Sequence, residues 1–224
     1  MADVAPPPLL PTDFTTAGEA KPKAAVKPKD AATLILWRHS SKGYEVLMGH
    51  RAATLRFMPG RLVFPGGRVD FADRHVPIAA PMPAFTRACL ERRAGPKIAQ
   101  AIAVAAVREL EEETALRIGE GAARPDLSGL SYLCRAVTPP MSPVRFNARF
   151  LMAPAEAATG SIQGSGELEN IGYFGIEEAH RLKLAPITGQ VLLEFAALMA
   201  MEEAERETRI LIWFQGRDNR KAER

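Results

Sequence analysis

The sequence predicts one α/β domain in which strands and helices alternate around a single core. First, β-rich runs at 32–38 and 44–51 precede the first helical patterns, and further runs at 130–138 and 144–153 follow them. Second, an amphipathic pattern over 97–116 predicts a helix between these groups of strands. Third, 224 residues with 47% hydrophobic content suffice for one sizeable core and not clearly for two. Strands in front of, between and behind helices favour the α/β or α+β class.

The remaining elements follow from local signals along the chain. Gly43 favours a hairpin between the first two strands, and the strand in RLVFPGGRVD is expected to stop at Pro65, with a turn at the two glycines. AFTRACLERR predicts a short helix that ends before Gly95 and Pro96. After a loop over 154–170, IGYFG favours a short strand, and IEEAHRLK and TGQVLLEFAALMAMEEAERE favour two helices.

Composition sets the domain boundaries. Residues 1–29 mix Ala, Pro and Lys with acidic residues, which favours a flexible N-terminal tail. The globular domain is expected over 30–212, followed by a charged C-terminal tail over 213–224. The longest apolar stretch, VLLEFAALMAM at 191–201, falls short of the ~20 residues that span a bilayer, so no membrane partner is expected.

Bulk charge and cysteine content favour an ordinary cytoplasmic protein. The net charge of +3 is small and the basic residues are dispersed, so no nucleic-acid partner is expected. Cys89 and Cys134 have no metal-binding spacing and lie in apolar contexts, which favours buried, reduced thiols. The four histidines form no metal-ligand pattern.

The segment VRELEEETAL concentrates negative charge on one helix. At 3.6 residues per turn, Glu109, Glu112 and Glu113 share a face, whereas Glu111 points elsewhere. Like charges at this spacing repel one another and raise each other's pKa. Two explanations stay open at this level: a solvated acidic face steadied by Arg108, or a site for Mg²⁺ or Mn²⁺, which prefer carboxylate oxygens.

The glycines upstream favour the second explanation. The predicted strand ends in FPGG, and because its two glycines have no side chains, a diphosphate or a metal can approach the backbone there. Together the two segments resemble the Nudix hydrolase signature: Gly, five residues, Glu, seven residues, then REUxEExGU with U apolar. The matching residues are Gly67, Arg108, Glu109, Leu110, Glu112, Glu113 and Leu116, with Asp73 in place of the first Glu.

This chain departs from the signature at three points. Thirty-four residues separate Asp73 from Arg108 where the family has seven, so 74–100 is taken as an insertion within the motif. Ala115 replaces the family's Gly, which suggests that the helix continues or that left-handed geometry is not needed there. Asp73 has a shorter side chain than the Glu it replaces.

The resemblance implies a fold and a chemistry. It implies an α/β/α sandwich with a mixed sheet, the catalytic helix on one face and a helical insertion near the active site. It also implies hydrolysis of a diphosphate by water with the help of Mg²⁺ or Mn²⁺. The functional residues that the resemblance implies are metal ligands, an arginine that orients them and an acid that orients or deprotonates the water. The metal ligands would be Glu109, Glu112, Glu113 and Gly67, with Arg108 orienting the glutamates, Gly66 near the substrate, and Asp73, Glu167 and Glu169 as candidate acids.

The segment before the signature points to the substrate. Residues 51–68 contain Arg51, Arg56, Arg61 and Arg68 and no acid, which favours a polyanionic substrate with an extra phosphate, although scattered surface arginines would give the same composition. LMGHRAATLRFMPGRLVFPGG is also similar to the pattern of the Nudix coenzyme A diphosphatases. The matching positions are Arg51, Ala52, Arg56, Gly60, Phe64, Pro65, Gly66 and Gly67. The later segment AVTPPMSPVRFNARFLM is similar to the corresponding segment of the acyl-coenzyme A diphosphatase branch of the family.

Three functions are therefore carried forward. The first is cleavage of coenzyme A or acyl-coenzyme A to 3′,5′-ADP and (acyl-)4′-phosphopantetheine, with Arg51, Arg56 and Arg61 as substrate-binding residues. The second is hydrolysis of ADP-ribose, NADH or another nucleoside diphosphate derivative. The third is an inactive Nudix-fold binding module, which the intact Glu109, Glu112 and Glu113 trio argues against. A homodimer is left open.

Overall fold

The computed structural model of the protein describes residues 26–55, 58–142, 144–216 and 219–223. The strands in this part of the chain are β1 Lys29–Ser40, β2 Gly43–Arg51, β3 Leu62–Val63, β4 Gly66–Arg68, β5 Arg117–Ile118, β6 Ser131–Val137, β7 Phe146–Pro154, β8 Ala158–Thr159, β9 Leu168–Gly175, β10 Ile212–Gln215 and β11 Arg220–Ala222. The helices are α1 Ala84–Glu91, α2 Pro96–Thr114, α3 Ile176–Arg181, α4 Pro186–Met199 and α5 Glu203–Arg206. None of these helices is long and apolar enough to cross a membrane.

Nine of the described strands form one mixed sheet. Its order is β11-β10-β6-β7-β1-β2-β3, with β4 also paired to β1 and β9 to β2. β1 runs parallel to β7 and β6 parallel to β10, whereas the other pairs are antiparallel. The predicted fold class, α/β with a mixed sheet, is confirmed.

Apolar side chains from the two faces of the sheet form two cores. On one face Leu34 and Leu151 pack against α2 residues such as Ile102 and Leu110. On the other face Ile35 packs with the α4 side chains, among them Phe195. Alternation along the strands sends successive residues to opposite faces, so a layer of helices covers each side. The α/β/α sandwich follows from this arrangement.

Helix α2 begins and ends at recognisable signals. Gly95 is extended and Pro96 occupies the first turn, where the missing N–H of proline costs nothing. The helix ends because Ala115 adopts a left-handed conformation, with φ 60° and ψ 7°, and its N–H donates to the Glu111 carbonyl at 2.8 Å. The expectation that left-handed geometry is not needed here is therefore wrong. The turn redirects the chain into β5, and alanine accepts it at a cost of about 1 kcal/mol.

The two glycines after Pro65 lie in a strand. Gly66 and Gly67 belong to β4 and pair with Thr33 and Ala32 of β1. The predicted turn at these glycines is wrong because pairing with β1 extends the backbone, although the chain lacks side chains that would indicate a strand there. A Cβ atom at Gly66 would lie 2.6 Å from the Ala32 carbonyl oxygen, so this close approach requires glycine.

The long helix predicted after Thr188 is interrupted. α4 ends at Met199, and α5 begins at Glu203. The guanidinium of Arg206 donates to the carbonyls of Met199 at 3.4 Å and Met201 at 3.2 Å. The chain therefore stops being helical where an arginine from the next turn satisfies its final carbonyl groups.

The C-terminal segment belongs to the sheet. β10 pairs with β6, and β11 pairs with β10, where the sequence favours a charged tail from residue 213. Glu223 is 5% exposed, and its carboxylate accepts hydrogen bonds from Arg135 Nε at 2.6 Å and the Tyr132 hydroxyl at 3.0 Å. The tail prediction is wrong for the described residues, because β10 and β11 join the sheet and Glu223 is partnered inside the fold.

The helical part of the predicted insertion lies beside the first turns of α2. Thr86 Oγ1 donates to the Leu130 carbonyl at 2.9 Å, and Met82 and Glu91 line a cavity of about 150 Å³ with Pro96 and Gln100. Glu109 lies thirteen residues further along the helix, which corresponds to about 20 Å. Helix α1 therefore packs near the N-terminal end of α2, and the nearness of the insertion to the active site stays a prediction.

Candidate active site

The catalytic helix predicted by the sequence passes directly over β4. A Cβ atom at Gly67 would overlap the Glu109 carboxylate, so the absence of a side chain at Gly67 makes room for that carboxylate. At the neighbouring position, the Gly66 N–H donates to Glu113 Oε2 at 2.9 Å. The two glycines thus bring two of the three predicted glutamates against the edge of the sheet.

The three glutamates of the shared face differ in exposure. Glu113 is buried, and the Glu109 side chain is 15% exposed, whereas 55% of the Glu112 side chain is exposed. Glu111 points away, as its helical position predicts, and binds Arg117 at 2.7 Å. The site therefore has two carboxylates at its base and a third at its opening.

Arg108 connects the glutamates to the segment that follows β4. Its Nη1 donates to Glu109 Oε1 at 2.8 Å and to Glu112 Oε2 at 3.0 Å, and its Nη2 donates to the Arg68 carbonyl at 2.9 Å. Its Nε donates to Asp73 Oδ1 at 2.9 Å. A guanidinium with this many acceptors fixes the rotamers of the carboxylates it contacts.

Asp73 is held away from the opening of the site. It is 1% exposed, and both its carboxylate oxygens accept from Arg108, at 2.9 and 3.1 Å. Oδ2 also accepts from the Asp70 N–H at 2.7 Å. This geometry suits an anchor for Arg108, and the candidacy of Asp73 as a water-handling acid has no geometric support.

Burial and mutual repulsion perturb the carboxylates of this site. Burial raises the pKa of Glu113 to about 8, despite the hydrogen bond from Gly66, and the negative charge of Glu109 adds to the effect. Burial also raises the pKa of Glu109, which the charge of Arg108 opposes and the charge of Glu112 reinforces. Glu109 therefore interacts electrostatically with both Glu112 and Glu113, and burial disfavours the charged form of Glu109 and Glu113.

This donor set fits a hard divalent cation in its chemistry. Among the described residues no three His, Cys, Asp or Glu side chains converge closely enough to hold a metal as they stand. Carboxylate oxygens under mutual repulsion are nevertheless the groups whose charge Mg²⁺ or Mn²⁺ would neutralise, and Glu109, Glu112 and Glu113 supply them from one helix face.

The predicted substrate arginines take different positions. Arg51 is near the glutamates, since its positive charge lowers the pKa of Glu113. Arg61 donates from Nη1 to the Leu184 carbonyl at 2.8 Å and so braces the strand that precedes the glycines. Arg56 lies outside the described residues.

The two candidate acids before β9 are distinguished by their electrostatic reach. The charge of Glu167 raises the pKa of both Glu109 and Glu113, and its backbone carbonyl accepts from the Ala52 N–H at 2.9 Å. Glu169 pairs with His50 in the sheet and is exposed. Glu167 therefore lies within electrostatic reach of Glu109 and Glu113, whereas Glu169 is exposed on β9.

The sequence reasoning missed how the loop before Glu167 is attached. Gln163 N–H donates to the Thr114 carbonyl at 2.9 Å, at the end of α2, and Gly160 lies beside the Ala115 carbonyl. The Gly and Ser content of 160–166 predicts a loop and carries no signal for its docking partner. Contacts between the main-chain atoms of distant segments leave no side-chain pattern in a sequence.

Both cysteines are buried and unpaired, as the sequence predicts. Burial raises the pKa of Cys89 to about 11 and raises that of Cys134 well above its ordinary value. Thiols that stay protonated are poor nucleophiles and poor metal ligands. Neither cysteine takes part in the candidate site.

No family model matches the chain. Its structure resembles that of a Nudix hydrolase from Alicyclobacillus acidocaldarius, with a TM-score of 0.59 and 26% identity over 84% of this chain and 99% of the other. It also resembles the Nudix domain of Shewanella oneidensis NrtR in complex with ADP-ribose, with a TM-score of 0.52 and 14% identity over 81% and 95% of the chains. A MutT Nudix hydrolase from Burkholderia pseudomallei matches with a TM-score of 0.50 and 18% identity over 75% and 98%.

These matches bear on two of the predictions. All three support the Nudix architecture, and the match at 26% identity confirms the predicted enzyme class, a hydrolase of the Nudix type that acts on phosphorus-containing anhydrides. Coenzyme A specificity, the metal and the long insertion stay predictions.

Proposed function

Since the chain has the fold of the Nudix hydrolases, we propose that it is a divalent-metal-dependent diphosphatase whose substrate is coenzyme A or an acyl-coenzyme A. The observation that carries the proposal is the placement of Glu109 and Glu113 against Gly67 and Gly66, with Arg108 fixing Glu109 and Glu112. Carboxylates crowded in this way are stabilised when a cation of charge two lies among them.

The residues of the site have separate tasks in the proposed reaction. Glu109, Glu112 and Glu113 would hold Mg²⁺ or Mn²⁺, with the Gly67 carbonyl as a further ligand, and the Gly66 backbone would border the diphosphate. The bound metal supplies polarisation of the phosphorus–oxygen bonds. Arg108 keeps the carboxylates in place, and Asp73 keeps Arg108 in place, through the bonds described above.

The reaction itself is a hydrolysis. A water oxygen forms a bond to one phosphorus of the diphosphate, the bond from that phosphorus to the bridging oxygen breaks, and the bridging oxygen stays on the other phosphate. From coenzyme A this gives 3′,5′-ADP and 4′-phosphopantetheine. Glu167 is the acid best situated to orient the water or accept its proton, because its charge reaches both buried glutamates.

The preference for coenzyme A is supported by the sequence and by Arg51. The 3′-phosphate of coenzyme A is an additional dianion that ADP-ribose and NADH lack, and arginine is suited to bind it. Arg51 carries its positive charge beside Glu113. The segment that contains Arg51, Arg56 and Arg61 resembles the coenzyme A branch over about twenty residues.

A panel of substrates tests the proposal. The protein is incubated with coenzyme A, acetyl-coenzyme A, dephospho-coenzyme A, ADP-ribose and NADH, each with Mg²⁺ or Mn²⁺, and the products are separated by chromatography. We expect 3′,5′-ADP from coenzyme A and a kcat/KM at least about tenfold lower for dephospho-coenzyme A, because a charge-assisted hydrogen bond contributes ~1.5–3 kcal/mol.

Other outcomes of the panel change the substrate or the function. Equal rates on coenzyme A and dephospho-coenzyme A would argue against recognition of the 3′-phosphate. Faster turnover of ADP-ribose or NADH would move the assignment to nucleoside diphosphate derivatives. Binding of any of these compounds without cleavage in either metal would favour a binding module.

A further inference from the structure

Glu111 lies among the predicted metal ligands in sequence and binds a different part of the chain. Its Oε1 accepts from Arg117 Nε at 2.7 Å, and its Oε2 accepts from the Ala122 N–H at 2.6 Å. Both oxygens of one carboxylate are thus used by the short segment that follows α2. Position 111 is also the unrestricted position of the REUxEE signature, so metal binding does not explain an acid there.

The segment that binds Glu111 is shaped around its carboxylate. Gly121 has φ +73°, and a Cβ atom there would overlap Glu111 Oε2. The Glu111 side chain is 22% exposed, whereas Glu120, which pairs with Arg124 in the same segment, is 64% exposed. We call the group of Glu111, Arg117, Gly121 and Ala122 the Glu111 clasp.

The clasp continues into the loop that carries Glu167. Arg117 lies in β5, where it pairs with Thr159 of β8, and β8 leads directly into residues 160–167. Further along this loop, the Gln163 N–H donates to the Thr114 carbonyl at 2.9 Å. The path from α2 through Glu111 and Arg117 therefore ends at Glu167, whose charge reaches Glu109 and Glu113.

We propose that Glu111 is a positioning residue for catalysis, which fixes loop 160–167, and with it Glu167, against the metal-binding face of α2. The inference rests on the proposed function, since it assigns Glu167 a place in that reaction. The carboxylate of Glu111 is needed because it offers two acceptor oxygens at once, one to a guanidinium and one to a backbone N–H. Glutamine offers only one acceptor, and alanine offers none.

Kinetics of Glu111→Ala and Glu111→Gln test the positioning role. We expect Glu111→Ala to lower kcat for coenzyme A by up to about a hundredfold, because misplacing a reacting group by roughly 1 Å can cost that much. The KM and the Mn²⁺ dissociation constant, measured by electron paramagnetic resonance, should stay at wild-type values because every predicted ligand is retained. The kcat of Glu111→Gln should lie between those of the wild type and of Glu111→Ala. Glu120→Gln, in the same segment, is the matched control and should leave kcat unchanged.

Hydrogen exchange tests the same idea without activity. Peptides covering 158–167 should exchange faster in Glu111→Ala than in wild type, and Glu120→Gln should leave them unchanged. Unaltered exchange there, or a wild-type kcat in Glu111→Ala, would overturn the positioning role. A wild type that cleaves no diphosphate would instead refute the proposed function, and the exchange data would still decide whether the clasp holds the loop. Should Glu111→Ala fail to fold, Glu111→Gln gives both measurements.

Discussion

Gly67 of β4 and Glu109 of α2 lie in direct contact. The carboxylate of Glu109 occupies the space that any side chain at position 67 would fill. Arg108 then fixes this carboxylate with a hydrogen bond of 2.8 Å. The geometry of one proposed ligand therefore depends on the absence of a side chain at position 67, and a single methyl group is enough to disturb it.

Gly67→Ala should reduce turnover of coenzyme A by about tenfold or more, because its methyl group displaces the Glu109 carboxylate from its position. The variant is compared by steady-state kinetics in Mg²⁺. Gly172→Ala is the matched control, since Gly172 lies in β9 with open space around its Cβ position. Equal activity of Gly67→Ala and wild type would show that the position of Glu109 is unimportant.

Ala115→Gly should raise the free energy of unfolding by about 1 kcal/mol, because Ala115 has φ +60° and glycine adopts this conformation without strain. Urea denaturation followed by circular dichroism measures the change. Ala103→Gly, within the same helix, should have the opposite sign and cost about 1 kcal/mol or more, since glycine disfavours helix interiors. A less stable Ala115→Gly would contradict the assigned backbone conformation.

At the scale of elements, α2 combines structural and chemical tasks. Its apolar side chains fill one core of the sandwich, and its last two turns carry the glutamates. Because the helix is packed so closely against β4, Glu113 loses its water and its pKa rises to about 8. The same packing that stabilises the helix therefore makes the carboxylate unfavourable without a cation.

This conflict predicts a pH-dependent gain in stability from metal. Glu113 has a folded-state pKa of about 8 against an ordinary value of 4.5, so the folded, metal-free protein keeps a proton that the unfolded chain has lost. Its stabilising contribution is present below pH 4.5 and is lost as the pH rises through 8. Because Mg²⁺ competes with this proton, the rise in Tm on adding Mg²⁺ should be larger at pH 9 than at pH 6.

Thermal melts in EDTA and in Mg²⁺ at the two pH values measure this difference. In Glu113→Gln the increment should be small and should not depend on pH. A wild-type increment that is the same at pH 6 and pH 9 would contradict the link between Glu113 and the metal.

The elements differ in how far their sequences predicted them. The first two strands, their hairpin and α2 carry strong side-chain periodicity, and the structure has them within a few residues of the expected bounds. β4 was missed because a three-residue strand with two glycines has no periodicity, and its extended form comes from pairing with β1. The break after Met199 was missed because the sequence EEAERE favours helix, and only the position of Arg206 reveals the end.

Across the whole molecule, the C-terminal strands close the sheet through a buried charge. Glu223 binds Arg135 and Tyr132 of β6, and Arg92 donates to its backbone carbonyl at 3.3 Å. The final segment is therefore tied both to the sheet and to the end of α1. A charged segment in a sequence is expected to be exposed, and its pattern does not reveal that one of its charged side chains is buried.

Glu223→Gln should lower the free energy of unfolding by about 3 kcal/mol, since removing one partner leaves Arg135 buried without its counter-charge. Chemical denaturation measures the loss. Glu177→Gln removes one partner of a fully exposed pair with Arg181 and should change stability by less than about 0.5 kcal/mol. Similar small effects in both variants would indicate that Glu223 is solvated.

The sequence predicted the proposed metal ligands of the candidate site, and it predicted only part of the contacts that hold them in place. Glu109, Glu112 and Glu113 followed from helical spacing and from the family signature. The pairing of Asp73 with Arg108 and the clasp of Glu111 could not be predicted, because both join segments whose spatial relation is set by the tertiary fold. Arg61 was assigned to the substrate from composition, and the hydrogen bond from its Nη1 to the Leu184 carbonyl could not be predicted from the sequence.

The most direct test of the account is the turnover of coenzyme A in Mg²⁺ by Glu112→Gln. This change removes a charge at nearly constant shape, from the most exposed of the three glutamates, so the variant should fold normally. We predict formation of 3′,5′-ADP by the wild type and by the control Glu120→Gln, and a rate lower by about a hundredfold or more in Glu112→Gln, because a misplaced metal forfeits several kcal/mol of transition-state stabilisation. Undiminished turnover in folded Glu112→Gln would contradict the assignment of these carboxylates to a metal.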